Sequence, residues 1–160
     1  MVSLRSRIVL LAGLIAIPGF APTRCQQLGN NEAARDRFVG AWRLVWLEEP
    51  GADGKMRRID CCGLLVYTRD GHMSVQVMER DAKPESAGGP VQYSQGGYEA
   101  SWGTYAVDEH ARLFTYHVEG ALVRSLIGQN LPRAFEFSGK QLIVKSSRAD
   151  EHWRVAWERY

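Results

Sequence analysis

Residues 63–76 read GLLVYTRDGHMSVQ, two β-rich runs on either side of Arg69-Asp70-Gly71. Val66, Tyr67 and Thr68 favour extended backbone, and Asp-Gly supplies the turn chemistry of a hairpin. The spacing predicts a strand over Gly63–Thr68, a tight turn, and an antiparallel strand over His72–Glu79.

The same grammar recurs outward from this hairpin. Runs rich in Val, Tyr, Trp, Phe and Thr occupy Val39–Glu48, Ser101–Val107, Leu113–Glu119, Arg133–Ser138, Gln141–Ser146 and His152–Arg159. Asp108–Arg112 and Gly139-Lys140 serve as turns, and Pro50–Gly54 as a wider loop. The longest stretch outside a strand is Arg80–Tyr98, with two prolines and four glycines, and it suits one helical turn or a lid over a cavity opening. No helical pattern of useful length separates the eight strands, which disfavours parallel βαβ folds. A sequential antiparallel meander either leaves two exposed edges or closes on itself, and closure removes the edges. An eight-stranded barrel has room for one small ligand inside. A two-sheet sandwich is the alternative.

Strand alternation is imperfect. In Val39–Glu48, Trp42, Leu44 and Trp46 share one face, while Val39, Ala41, Val45 and Leu47 flank Arg43 on the other. Such a strand either lines an apolar cavity and meets an outer element, or is buried on both faces.

At 160 residues the chain suits one domain. With 45% hydrophobic and 24% charged residues it is neither a disordered tail nor a low-complexity segment. Residues 1–24 read as a signal peptide: Arg5 and Arg7 precede the apolar run Ile8–Ile17, and Gly19-Phe20-Ala21 offers small residues for cleavage. The run is shorter than the roughly 20 residues a transmembrane helix needs. The expectation is export to the periplasm or the extracellular space, with no membrane association after cleavage. Removing Arg5 and Arg7 leaves basic and acidic residues equal in number, and Arg24 is lost with the same segment, so the near-neutral mature domain carries no electrostatic footprint for nucleic acid. Residues 25–37 form a polar lead-in, with Asn31 as the expected cap of a short helix through Arg37, and residues 38–160 form the barrel domain. Of three cysteines, Cys25 pairs with Cys61 or Cys62, or all three are free thiols. The adjacent pair lacks metal-ligand spacing and the four histidines are scattered, so no metal or cofactor is expected.

Phe38-Val39-Gly40-Ala41-Trp42-Arg43-Leu44-Val45 resembles the Gly-x-Trp opening strand of the calycin superfamily. Residues 63–76, Gly103–Asp108, His117–Gly120 and Trp157–Arg159 extend the similarity to the bacterial and fungal lipocalin-like domain proteins, from about Phe38 to Arg159. The resemblance implies an all-β, eight-stranded antiparallel meander closed into a calycin barrel. It also implies a floor in which Gly40 allows close approach, Trp42 plugs the closed end and Arg159 packs over Trp42, with Arg154 the second match. Glu158-Arg159-Tyr160 departs from the Arg-x-Tyr clamp of fatty-acid-binding proteins, so no fatty-acid site is carried over.

Two side chains stand out for chemistry. His117 and Glu119 share a strand face, and inside a lumen they would form an acid/base pair for a cyclase- or isomerase-type enzyme; as a rim histidine, His117 would be structural. Gln76 is a mid-strand amide able to orient a ligand, and Tyr67, Trp102, Tyr105, Tyr116 and Phe135 are candidate aromatic walls. No nucleophile elbow or phosphate loop is legible. The favoured reading is a monomeric or weakly dimeric exported protein holding a small hydrophobic or aromatic molecule.

Overall fold

The computed structural model describes residues 24–81 and 96–160, with side chains from Asn31 onward. The signal segment, the Cys25 thiol and most of the expected lid lie outside the described residues. Helix α1 (Arg24–Phe38) precedes strands β1 (Gly40–Pro50), β2 (Met56–Ile59), β3 (Cys61–Tyr67), β4 (His72–Glu79), β5 (Tyr98–Asp108), β6 (Leu113–Ala121), β7 (Asn130–Ser138), β8 (Gln141–Ser146) and β9 (Arg154–Arg159). From β3 onward each strand pairs antiparallel with the next, and β9 returns to β1 through Trp42↔Arg159 to Glu48↔Arg154. Closed pairing leaves no free edge around the ring and excludes the sandwich.

The ninth strand, β2, is not among the expected elements; it follows the expected wide loop over Pro50–Gly54, in a stretch to which no element was assigned. It pairs with the second half of β1 (Leu47↔Ile59 to Pro50↔Met56) while β3 pairs with the first half (Gly40↔Tyr67 to Arg43↔Leu64). Three residues of β1 (44–46) there face four (60–63) on the other side, so β2 and β3 are one barrel strand interrupted by a bulge. The Arg57 and Arg58 pair between Met56 and Ile59 concealed the strand, because charge at these positions faces solvent on the barrel's outside.

Two further bulges decide which side chains enter the barrel. Between Leu44↔Trp157 and Trp46↔Ala156, Val45 is the extra residue of β1. Trp42 and Leu44 point inward before it, and Leu47 and Glu49 after it. The apolar residues on both faces of this strand therefore reflect a change of phase. Trp46 ends up outside, between the guanidinium groups of Arg58 (5.6 Å) and Arg154 (5.5 Å), both paired with Glu48. Between Trp102↔Gly120 and Gly103↔Val118, Glu119 is the extra residue of β6. A Cβ on Gly103 would stand 1.9 Å from the His117 carbonyl oxygen, so only glycine admits this close crossing.

Helix α1 is longer than the expected Asn31–Arg37 segment. Asn31 does not cap it; mid-helix, its Oδ1 accepts the Glu109 N–H of the β5–β6 turn at 2.9 Å. Arg35 donates to the Arg69 carbonyl (2.7 Å) and Asp36 pairs with Arg69 (2.8 Å), so the helix is tied to the β3–β4 hairpin. These ties drive Phe38, which is completely buried, into the barrel end, against the rings of Phe135 (4.9 Å), Tyr67 (5.1 Å), Phe137 (5.3 Å) and Phe114 (5.5 Å). Phe38 is the stopper, and Trp42 supports it from the wall. Arg159 covers the Trp42 ring at 4.7 Å, as the resemblance implied, and donates to the Arg37 carbonyl at 2.7 Å. Gly40 is required for its φ of +138°, not for space, since a Cβ there would meet only the Arg159 guanidinium at 3.8 Å.

Candidate ligand-binding cavity

Above the Phe38 stopper the barrel is hollow. A cavity of about 300 Å³ opens toward the end opposite α1. Its walls are the inward faces of the strands: Leu47 from β1, Leu65 from β3, Val75 and Val77 from β4, Leu131 from β7, Val144 from β8 and Val155 from β9. Tyr67, Met73 and Phe114 form its base, where they meet the stopper's ring cluster, and Trp157 and Trp153 stand along one side. Leu126, in the single 3-10 turn Arg124–Leu126, reaches in from the loop before β7.

The polar groups of the cavity are few and unequal. Glu49 and Glu99 stand exposed at the rim. Ser101 is buried, and the buried Tyr116 hydroxyl beside it has no hydrogen-bond partner of proper geometry. Burial pushes the Tyr116 phenol above its ordinary value, and the fully enclosed Tyr67 phenol further still. Among the described residues, Arg133 is the one arginine on the cavity wall. Its side chain is 19% exposed, lies over the Trp153 ring at 4.9 Å, and has its pKa lowered by desolvation. Among the described residues, no three or more His, Cys, Asp or Glu side chains gather to hold a metal ion, and Cys61 and Cys62 are free thiols.

The sequence-level candidates divide sharply. Tyr67 and Tyr116 line the cavity, and Phe135 lies beneath it in the stopper cluster. Tyr105 is core below the cavity, its hydroxyl donating to the Thr68 carbonyl at 3.0 Å. Gln76 is on the outer face of β4, because Met73, Val75 and Val77 take the inner one. Trp102 is 53% exposed and lies across Gly120 on the outside. His117 alternates with the inward Tyr116 and Val118, so its ring is outside, where Nδ1 meets Asn130 Oδ1 at 2.9 Å. Glu119 is the exposed bulge residue. The proposed acid/base pair is therefore not in the cavity.

Reading the residues alone missed Ser101, Arg133 and Trp153. A signal for Arg133 was present: Leu131, Arg133, Phe135 and Phe137 occupy alternate positions, which puts an arginine in phase with inward rings. The expected strand began at Arg133, so this phase was cut short; β7 begins at Asn130.

The family described as lipocalin-like domain matches residues 39–160. The chain belongs to the lipocalin-like domain family. The match begins one residue after the Phe38 stopper, so α1 precedes the lipocalin-like domain while closing its floor. The crystal structure of a lipocalin-like protein from Bacteroides uniformis ATCC 8492 is similar at 14% identity and a TM-score of 0.46, over 78% of this chain and 99% of that one. No curated protein matches the chain. A lipocalin-like barrel is the architecture of a small-molecule binder in general, and the hollow upper half supplies the space such a role needs.

Proposed function

We propose that this lipocalin-like protein is exported and binds one small hydrophobic or aromatic molecule in its barrel. The observation that carries the reading is the half-filled interior. Aromatic rings pack the end near α1 solidly, while the other half keeps about 300 Å³ free, at the lower end of the roughly 300–1,000 Å³ typical of ligand pockets. A purely structural barrel has no use for that void, because an empty space forfeits dispersion contacts along its lining. Export rests on the Arg5/Arg7 and Ile8–Ile17 pattern at the N-terminus. The enzyme alternative built on His117 and Glu119 loses its motivation, since both side chains lie outside the cavity.

Native mass spectrometry of the protein purified from its own host tests the proposal. A retained small molecule that dissociates on activation supports it. A ligand-free spectrum, together with no uptake of apolar fluorescent probes, rejects it.

A further inference from the structure

Arg133, its side chain 19% exposed, has few protein partners for a cation largely withdrawn from water. A guanidinium carries five N–H donors, and among the described residues its hydrogen bonding amounts to one 3.4 Å contact with the neighbouring Pro132 carbonyl. Among the described residues the carboxylate paired with it is Glu151, 3.9 Å away and already engaged. Glu151 Oε2 accepts from Ser146 Oγ at 2.7 Å and Trp153 Nε1 at 3.3 Å, while Oε1 faces Arg148 Nε at 3.4 Å. The guanidinium carbon lies 4.9 Å from the Trp153 ring centroid, and among the described residues both polar contacts of the group are made by one terminal nitrogen, Nη1. Across the β6–β7 ladder Arg133 is opposite Phe114 and Leu131 opposite Tyr116, so Arg133 and Tyr116 are diagonal neighbours on the same inward surface. The buried Tyr116 hydroxyl, beside Ser101, is a second donor of that surface, without a hydrogen-bond partner of proper geometry among the described residues. Glu99 lines the same cavity as both groups, and its exposed position at the rim leaves it screened by solvent.

We infer that the cavity selects molecules bearing an acid group, carboxylate or sulfonate, on an apolar body, with the acid on the Arg133 guanidinium and the Tyr116 hydroxyl as a second donor. A carboxylate, or two of the three oxygens of a tetrahedral sulfonate, can span the arginine fork, and a charge-assisted bond in a partly dry site is worth more than one between neutral groups. This deepens the proposed function and rests on it, since it assigns the ligand's polar end in the same cavity.

The test compares anilinonaphthalene sulfonate with phenylnaphthylamine, which has the same rings without the charge. Both are titrated by fluorescence into the full domain and into the Arg133→Met and Tyr116→Phe variants, with circular dichroism confirming the fold. The expected result is tighter binding of the sulfonate by the natural protein. Arg133→Met should weaken the sulfonate about ten- to a hundredfold, the range expected for charged hydrogen bonds, while the neutral probe changes less than about twofold. Tyr116→Phe should weaken the sulfonate by a smaller factor, and it serves alone with the natural protein's preference if Arg133→Met does not fold. Equal affinity of the natural protein for both probes, or sulfonate binding untouched by Arg133→Met, overturns the inference and leaves the binder reading standing. Failure of both probes to bind overturns the two together.

Discussion

The Trp42 indole Nε1–H donates to the Phe38 backbone carbonyl at 2.8 Å, joining the first strand of the barrel to the last residue of the helix that closes it. The bond is buried and spans only four residues. It fixes the entry angle of the chain at Gly40 and holds the Phe38 ring against its aromatic neighbours. The barrel floor and the helix are therefore one mechanical unit.

Phe38→Ala should cost about 3–5 kcal/mol of stability, the range for removing a fully buried aromatic ring. Urea denaturation followed by tryptophan fluorescence measures it. A loss below about 1 kcal/mol would show that the ring cluster closes without its central member.

Gly103→Ala should be far more disruptive than Gly139→Ala. A methyl group on Gly103 would lie 1.9 Å from the His117 carbonyl oxygen, a backbone atom that cannot move without opening the β5–β6 ladder, whereas nothing stands within 4 Å of the same group on Gly139. Gly139 has a φ of +59°, so alanine there carries only conformational strain, about 1 kcal/mol. Thermal melts of the two variants decide the matter, and equal costs would contradict the close crossing at the Glu119 bulge.

His117→Ala should leave probe binding in the cavity unchanged. The side chain makes one hydrogen bond, to Asn130, on the outer surface, and its loss should cost about 0.5–1.5 kcal/mol or less. A variant that folds normally but no longer binds the neutral probe would return His117 to the site.

Alkaline pH should destabilise the fold beyond its general charge effects. Burial raises the phenol pKa of Tyr67, Tyr105 and Tyr116 in the folded state. Such groups stabilise fully below the unfolded tyrosine value, about 10, and that contribution is lost as pH rises through the raised folded values. Ultraviolet titration at the tyrosinate band should show these three of the chain's six tyrosines ionising late, together with unfolding. Normal titration of all tyrosines in the intact fold would contradict their burial.

Strand existence and turn positions are written locally. Arg69-Asp70-Gly71 turns the chain whatever surrounds it, and period-two runs of β-branched and aromatic residues announce their strands. The family resemblance lay equally on the surface, in Gly40, Trp42 and Arg159. The cavity lining was not legible in the same way. Side chains alternate with a period of two, so one extra residue reverses every assignment beyond it. Val45 and Glu119 are such residues, and nothing in their chemistry marks them.

The sequence by itself determined an antiparallel meander of short strands, because turn chemistry and period-two runs act between neighbours in the chain, while closure over a sandwich was settled by the pairing of β1 with β9. Only the tertiary structure decided what points inward: Arg133 and Tyr116 in, Gln76, Trp102 and His117 out, and Phe38 from the helix as stopper. The physical reason is that phase and floor depend on pairing across strands far apart in the chain, where cross-strand registers and helix docking are settled together.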